Sequence, residues 1–358
     1  MSEVIPDFEY LIVGHGIGGL SIAWHLHDLG KSFRIINDSS FPSSSRVAAG
    51  IFNPLTGKKL VKTWLADDLF PFAYDFYSGL EVKLKAKFLH STSIYRPYRS
   101  IEEQNSYLAQ SADSSISKYI GEGVDTASVK KYVQMRYGAL EVVRSGWIDL
   151  PILLDKSEEF FVGRGQFLKE TFDTDQLVIR DNFVEFNGLK YGKVILCQGF
   201  KVVNDRLFNW LPFAPVKGQI IEIEVADSLK PHIVNQGIFI LPTSERIARV
   251  GATYSWDPLD WSATDSATVE LKEKLDQLLK VPYSIISQIA GIRPSVKDRR
   301  PLIGIHPEYD NVCLFNGLGT KGVTLAPFFA NQLIQHLENG KELNPLVNIK
   351  RYFSLYFR

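Results

Sequence analysis

The chain has 358 residues, 45% of them hydrophobic, which is enough to build one large domain or two domains around a substantial core. Its 40 Lys and Arg residues balance 40 Asp and Glu residues, so net charge does not draw it toward nucleic acid or anionic lipid, and only a local basic patch could do so. No apolar run approaches a membrane span and the N-terminal sequence MSEVIPDFEY is acidic, so we expect no signal peptide and a cytoplasmic location.

The stretch from Phe8 to Asn37 predicts a strand, a tight turn, a helix and a second strand. A short apolar run at 10–13 is followed at once by GHGIGG at 14–19, which has the spacing G-x-G-x-x-G. In this fingerprint the glycines permit the turn, the approach of a pyrophosphate to the backbone and close packing of the helix, whose N-terminus offers free N–H groups. The stretch therefore predicts a dinucleotide site, with a glycine-rich turn in an ordinary α/β domain as the less favoured alternative.

The second strand of this unit ends at Asn37 and Asp38, where the fingerprint usually has an acid that bonds the ribose hydroxyls. Asn37 retains an acceptor oxygen but lacks the charge. A sugar contact is therefore predicted, and the choice between dinucleotides stays open. The helix between the strands is predicted at 18–29, with Gly30 as its C-terminal stop.

A serine run with small residues follows at 39–54, and its composition alone is typical of a flexible linker. Its position favours another interpretation, because ligands bind at the carboxyl edge of open α/β sheets and this run comes directly after a strand. Ala and Gly here would let backbone pass close to a flat ring. The next predicted element is a helix at 64–77 with an interruption at Pro71.

Further along, two strand patterns alternate. A continuous apolar run at 193–200 predicts a strand that is buried on both faces, with a glycine at its carboxyl end, and a further strand is predicted at 311–315. Alternating patterns at 218–225, 233–241 and 246–254 predict antiparallel strands, and a polar amphipathic helix is predicted at 264–280.

Near the C-terminus, NGLGTKGVTLAP at 316–327 opens a long helix that is predicted to reach Leu337. A second glycine-rich loop thus leads into a second helix N-terminus, which favours negative charge through its unpaired N–H groups and its dipole.

Elsewhere in the chain, Cys197 and Cys313 lie in apolar runs without a C-x-x-C spacing, so they are predicted to be buried free thiols. No metal site is predicted.

In this order the motifs make the chain resemble the D-amino acid oxidase, glycine oxidase and sarcosine oxidase family of FAD-dependent amine oxidoreductases. The resemblance covers essentially the whole chain, and its motifs are specific in combination. They are VGHGIGG at 13–19, SSSRVAAGIF at 43–52, SGWIDLP at 145–151, VILCQG at 194–199, VKGQ at 216–219, RVGATY at 249–254, GIRPSVKDRRPLIG at 291–304 and NGLGTKGVTLAP at 316–327.

The resemblance implies an α/β fold in which a Rossmann-like FAD-binding domain carries an inserted, mainly antiparallel α+β substrate domain. Segments 1–80, 145–212 and 291–358 would form the discontinuous FAD-binding domain. Segments 81–144 and 213–290 would form the substrate domain.

The resemblance also implies a cofactor site, residue by residue. The pyrophosphate would meet Gly14, Gly16, Ile17, Gly18 and Gly19, and the ribose would meet Asn37 and Asp38. The flavin would run beside Ser44, Ser45, Arg46, Ala48, Ala49, Gly50 and Ile51. Phe172 would contact the adenine, Gly199 would pass near the cofactor, and the isoalloxazine edge would meet Leu318, Gly319, Thr320, Lys321, Gly322, Val323 and Thr324.

On the substrate side, the resemblance places Arg293 where relatives hold the substrate carboxylate, with Phe239 and Tyr254 as further candidates. The alternative for Arg293 is a salt bridge at the surface or between domains. Thr320 stands where glycine oxidases have a second arginine, and Phe239 stands where a tyrosine hydroxyl would meet the carboxylate. Gly291 lies near the place where some sarcosine oxidases attach flavin through cysteine, so the FAD is expected to be non-covalent.

The function implied is FAD-dependent oxidation of the C–N bond of a small amino acid or N-substituted glycine, by hydride transfer to flavin N5. No catalytic triad is expected, because the cofactor carries the redox step. Two alternatives stay open: a tRNA-modifying FAD oxidoreductase resembling the domain that trims wobble-uridine carboxymethylaminomethyl groups, and a nicotinamide-dependent dehydrogenase. The neutral charge weighs modestly against the first. The second shares the first glycine motif but not the loop at 317–327. The electron acceptor and the oligomeric state stay open.

Overall fold

The computed structural model describes residues 5–57, 59–122 and 126–357. Residues 1–4, on which the expectation of no signal peptide partly rests, lie outside these ranges. Within the described part of the chain, no helix is both long and apolar enough to cross a bilayer.

The secondary structure alternates between strands and helices along the chain. The strands are β1 (Phe8–Val13), β2 (Phe33–Ile36), β3 (Ile51–Phe52), β4 (Leu55–Thr56), β5 (Val61–Lys62), β6 (Leu89–Ser91), β7 (Ile94–Pro97), β8 (Ala139–Val142), β9 (Gly146–Ile148), β10 (Phe167–Leu168), β11 (Val178–Ile179), β12 (Val184–Phe186), β13 (Leu189–Leu196), β14 (Val216–Val225), β15 (Ile233–Asn235), β16 (Phe239–Pro242), β17 (Ile247–Gly251), β18 (Tyr283–Arg293), β19 (Leu302–Ile305) and β20 (Val312–Asn316). The α-helices are α1 (Ile17–Asp28), α2 (Ser44–Val47), α3 (Ala66–Leu84), α4 (Ile101–Ser111), α5 (Ser114–Ser117), α6 (Ala127–Lys130), α7 (Leu150–Val162), α8 (Asp265–Asp276), α9 (Gly322–Asn339) and α10 (Phe353–Tyr356).

The first sheet is parallel at its centre, in the order β10, β2, β1, β13 and β20. Strand β19 pairs antiparallel with β20, and β12 and β11 extend the sheet from the first half of β13. The central strands are buried on both faces, as continuous apolar runs predict. Val13, Ile36 and Leu196 lie in register, so three carboxyl ends meet at one edge of this sheet.

Helix α1 covers this sheet and is buried along most of its length. Trp24 is fully buried, donates a hydrogen bond to Ser157 and packs against the Phe160 and Phe161 rings of α7. Gly30 follows the helix with a φ of 69°, in agreement with the predicted stop. Helix α1 also packs against α9, which packs against α3.

The predicted interruption of α3 at Pro71 is wrong, because the helix continues to Leu84. Pro71 lies in the second turn, where it removes one backbone donor from the helix. The rest of the helix is held by its buried face. Tyr77 is buried there and donates a hydrogen bond to the Val323 carbonyl at 2.7 Å, next to the start of α9.

The second sheet has the order β18, β14, β17, β16, β15, β7 and β8, and only β15 and β7 pair in parallel. Here the prediction of one strand at 233–241 is wrong, because Gly237, with a φ of 83°, breaks it into β15 and β16. Strand β18 was not predicted. It is an edge strand with several exposed residues, so its burial has no clear period.

Successive segments of the chain contribute alternately to the first and the second sheet. The predicted α/β class with a mainly antiparallel second sheet is confirmed. Strands from 8–36, 167–196 and 302–316 form the first sheet. Strands from 94–97, 139–142 and 216–293 form the second. The domain boundaries stay a prediction, and β18 runs three residues beyond the proposed boundary at 290.

Candidate functional site

A cavity of about 640 Å³ lies at the carboxyl edge of the first sheet and reaches the second sheet. It brings together nearly all the site residues that the sequence predicts. Those that line it are Gly14, Gly16, Ile17, Gly18, Asn37, Asp38, Ser44, Ser45, Arg46, Ala48, Ala49, Gly50, Ile51, Phe172, Gly199, Phe239, Tyr254, Arg293, Leu318, Gly319, Thr320, Lys321, Gly322, Val323 and Thr324. Its volume is within the usual range for small-molecule and cofactor sites.

The glycine motif forms the turn between β1 and α1. Gly14 has a φ of 97°, and a Cβ there would lie 2.7 Å from the Cys197 carbonyl oxygen, so only glycine fits. Gly19 does not line the cavity. A Cβ at Gly19 would lie 1.9 Å from the Gly14 carbonyl oxygen, so its role is the close packing of helix on strand. The N-terminus of α1 thereby faces the cavity, as an anion site requires.

Two polar side chains at the end of β2 lie at the cavity beside this turn. Asn37 Oδ1 accepts a hydrogen bond from the His15 backbone N–H at 3.0 Å, so the acceptor oxygen that was predicted for the ribose already has one partner. Asp38 accepts hydrogen bonds from Ser40 and from Thr171 Oγ1, and the Ser40 hydroxyl is the main reason why the pKa of Asp38 falls to about 2. Asp38 therefore supplies beside the cavity the negative charge that Asn37 lacks.

The serine run at 39–54 is held in place by specific bonds. Ser45 Oγ accepts a hydrogen bond from the Ile17 backbone N–H at 3.0 Å, and Ser44 donates to the Ile292 carbonyl. Arg46 forms an ion pair with Asp155 at 2.7 Å. The run thus forms one wall of the cavity between the two sheets.

Buried polar atoms at the cavity support the presence of a polar cofactor. Gln198 lines the cavity, and its buried Oε1 has no hydrogen-bond partner among the described residues. Such an acceptor is costly unless the cavity contents supply a donor. Together with the glycine turn and the helix N-terminus, it makes the lining fit a dinucleotide. His15 is buried, and burial is the main cause that lowers its pKa to about 3, so its ring is neutral.

Arg293 lies at the end of β18 and lines the cavity. Its Nη1 donates to the carbonyls of Lys217 at 3.4 Å and Thr253 at 3.3 Å, and its guanidinium carbon lies 4.5 Å from the centre of the Tyr254 ring. Among the described residues no carboxylate forms an ion pair with it, which contradicts the salt-bridge alternative. Burial lowers the pKa of Arg293 and Tyr254 opposes that shift, but the guanidinium stays charged.

The backbone leaves room for this guanidinium. A Cβ at Gly218 would lie 2.1 Å from Arg293 Nη2. Phe239 borders the same part of the cavity, and a Cβ at Gly251 would lie 3.0 Å from its ring. Tyr254 is 58% exposed, so its phenol reaches both the solvent and the arginine.

Sequence reasoning missed the contacts that fix the loop after β17. Lys217 is 1% exposed, and its Nζ lies 2.5 Å from Asp260 Oδ1. Its backbone also exchanges two hydrogen bonds with Ser255. This loop carries Tyr254 and Trp261, which both line the cavity. The motif VKGQ at 216–219 contains Lys217, but no local sequence pattern indicates that Asp260 is its partner.

The second glycine-rich loop leads into α9 as predicted. Asn316 donates to the Gly199 carbonyl at 2.9 Å, and its Oδ1 accepts from Gly317 N–H, so the loop is bonded to the segment that follows β13. Lys321 is the residue that precedes the helix, and its Nζ donates to Thr63 Oγ1 at 3.2 Å. The two cysteines are buried and free, as predicted.

Comparison with known proteins agrees with this geometry. A family model described as FAD dependent oxidoreductase matches residues 9–336. The glycine oxidase of Pseudomonas aeruginosa is 30% identical over 145 residues, which are 40% of this chain and 39% of that relative. The glycine oxidase of Bacillus subtilis is 33% identical over 137 residues, which are 37% of this chain and 36% of that relative. The matches thus span less than half the length of these relatives.

Solved structures share the fold over nearly the whole chain. Glycine oxidase from Bacillus cereus has a TM-score of 0.76 at 20% identity and covers 94% of this chain and 96% of its own. Iminodiacetate oxidase from Chelativorans sp. BNC1 has a TM-score of 0.73 at 20% identity, with coverages of 96% and 98%. At these identities the likeness concerns the fold.

Proposed function

Because this chain belongs to the family of FAD-dependent oxidoreductases, we propose that it oxidises the C–N bond of a small amino acid or an N-substituted glycine. Family membership decides the cofactor in favour of FAD over a nicotinamide. The glycine oxidases among the relatives support an amino acid substrate. The observation that carries the proposal is Arg293, a cation on the cavity wall without a carboxylate partner among the residues described.

In this proposal the N-terminus of α1 would hold the pyrophosphate of FAD, and the 44–51 wall and the 318–324 loop, which both line the cavity, would hold its ring. When bound, FAD supplies a ring that accepts a hydride equivalent from the carbon beside the amine. The N–H groups at the start of α1 stabilise the negative charge of the phosphates. Asp38 and Asn37 accept hydrogen bonds from ribose hydroxyls.

Arg293 holds the substrate carboxylate. Its planar guanidinium binds a carboxylate through two parallel charge-assisted hydrogen bonds, which fix the orientation of the substrate as well as its position. The Tyr254 ring and the two backbone carbonyls hold the guanidinium in place. The start of α9 also lines the cavity and favours negative charge there, because its first N–H groups have no partner within the helix.

Anaerobic reduction of the bound flavin tests the proposal. Glycine, N-substituted glycines and other small amino acids are added to the purified holoenzyme, and the flavin absorbance is followed. At least one carboxylate substrate is expected to bleach the flavin, whereas the matching amine without a carboxylate is not. Bleaching only by tRNA that carries a carboxymethylamino group would favour the tRNA-modifying alternative. No bleaching by any carboxylate amine would overturn the proposed substrate class.

A further inference from the structure

The segment 252–264 connects β17 to α8 and carries two of the side chains that line the cavity, Tyr254 and Trp261. It contains no helix or strand of its own. A connection of this length within a compact fold is usually either mobile or part of a binding site. The hydrogen bonds of the segment favour the second, because they hold it to β14.

Two buried polar residues of β14 anchor this segment. The side-chain oxygen of Gln219 accepts from the Thr264 N–H at 2.8 Å, and its Nε2 donates to Thr264 Oγ1 at 2.9 Å. Lys217 is bonded to the backbone of Ser255 and, through Nζ, to the Asp260 carboxylate. The buried ammonium requires this carboxylate, because an unpaired charge is costly away from water. The segment is therefore fixed near its start, in its middle and at its end.

Trp261 directly follows the anchored Asp260 and lies partly buried at the cavity wall. Among the described residues its indole makes no hydrogen bond and stacks on no other ring. Tryptophan is the largest of the aromatic side chains that dominate apolar contact energies. An indole that is held at a cavity wall without a polar or aromatic partner offers this surface to a ligand.

The second sheet and this segment give the cavity a mainly apolar wall around one charge. Arg293 is the one charged residue that they contribute to it within the described chain. Ile220 and Phe239 belong to the same wall, and a Cβ at Gly251 would lie 2.9 Å from Ile220 and 3.0 Å from Phe239. Ile220 follows Gly218, where the guanidinium packs, by two residues along β14, so both face the same side of the sheet. A carboxylate at Arg293 would leave the rest of the ligand against apolar side chains.

We propose that Trp261 is a specificity-determining residue, which packs against an apolar substituent of the substrate and is positioned for it by the Lys217–Asp260 ion pair. The inference rests on the proposed function and narrows its substrates to amino acids that carry an apolar group on the α-carbon or on the amine. Removal of apolar surface from water drives this contact, so each methylene that reaches the indole raises kcat/KM roughly four-fold. Glycine, which carries no such group, is then a poor substrate.

The test compares homologous substrates on the purified holoenzyme. One series lengthens a straight alkyl chain on the α-carbon of glycine, and the other lengthens it on the nitrogen. In the wild type, kcat/KM should rise roughly four-fold per methylene in at least one series. In Trp261→Ala this increment should disappear, whereas Trp261→Phe should keep part of it. A wild type without an increment in either series would overturn the inference, and so would an increment that survives in Trp261→Ala.

Two variants test the ion pair, and a third is the matched control. Asp260→Asn leaves the Lys217 ammonium without its carboxylate, so the increment per methylene should fall, and Asp260→Glu should restore part of it. A loss of folded enzyme or a displaced Arg293 would instead lower kcat/KM for every substrate by the same factor, and that result would overturn the positioning role. Trp256 belongs to the same segment but is 67% exposed and, in the described chain, does not line the cavity, so Trp256→Ala should keep the increment.

Equilibrium binding separates this inference from the proposed function. Calorimetric titration of the holoenzyme with straight-chain monocarboxylates, from acetate to hexanoate, needs no turnover. The affinity should rise roughly four-fold per methylene in the wild type, and this rise should vanish in Trp261→Ala. If no carboxylate binds and no amine reduces the flavin, the proposed function fails. If amino acids reduce the flavin in an Arg293-dependent way, and neither kcat/KM nor affinity depends on chain length, only the role of Trp261 fails.

Discussion

Replacing Arg293 by alanine removes the cation on which the proposed substrate site depends. Within the described part of the chain, the wild-type guanidinium makes two long hydrogen bonds, of 3.3 and 3.4 Å, to backbone carbonyls, so most of its donors remain for a carboxylate. Loss of a charge-assisted hydrogen bond costs about 1.5–3 kcal/mol, so kcat/KM for a carboxylate substrate should fall roughly 10- to 150-fold. Steady-state kinetics on the purified holoenzyme measure this change, and the flavin content should stay the same.

Two further variants sharpen the experiment. Arg293→Lys restores a point charge without the planar fork, so its kcat/KM should fall between those of the alanine variant and the wild type. Lys297→Ala removes an exposed cation from the same segment and should have no effect. Equal activity of Arg293→Ala and the wild type toward a carboxylate substrate would refute the assignment. Equal activity of the wild type toward the matching uncharged amine would show that no carboxylate anchor exists.

In Gly218→Ala the new methyl would lie 2.1 Å from Nη2 of Arg293, so kcat/KM for carboxylate substrates should fall with the flavin content unchanged. Asp260 has its pKa lowered chiefly by the Lys217 ammonium, so its stabilising effect is present above about pH 4 and is lost as the pH falls through the lowered pKa. The melting temperature of Asp260→Asn should therefore be lower than that of the wild type at pH 7, and the difference between the two should disappear in acid. A difference that does not depend on pH would contradict this prediction. Finally, acid precipitation should release all the FAD into the supernatant, and yellow colour on the pellet would contradict non-covalent binding.

The parts of the fold that follow from local sequence were predicted well. A short apolar strand that is followed by GHGIGG and an apolar helix predicts one arrangement, a strand, a tight turn and a closely packed helix. Gly14 and Gly19 occupy positions in it where no side chain fits. The two buried central strands were predictable for a similar reason, since residues covered on both faces must all be apolar. From these elements alone, the sequence predicts that the ligand site lies at the carboxyl edge of the first sheet.

The errors arise where tertiary contacts override local signals. Pro71 is a helix breaker by its own chemistry, yet the buried face of α3 continues past it to Leu84. Strand β18 is half exposed and follows no simple period, although it carries Arg293. The pair of Lys217 and Asp260 joins residues 43 positions apart, and no sequence pattern signals such a partner.

The way in which Arg293 is held has an entropic consequence. Ordering a free arginine side chain costs about 1.5–2 kcal/mol of rotamer entropy. In this protein the Tyr254 ring and two carbonyls confine the guanidinium within the folded chain itself, so folding rather than ligand binding carries that cost. The arginine is therefore preorganised, and a carboxylate that enters the cavity meets a donor pair whose conformational freedom is already largely lost.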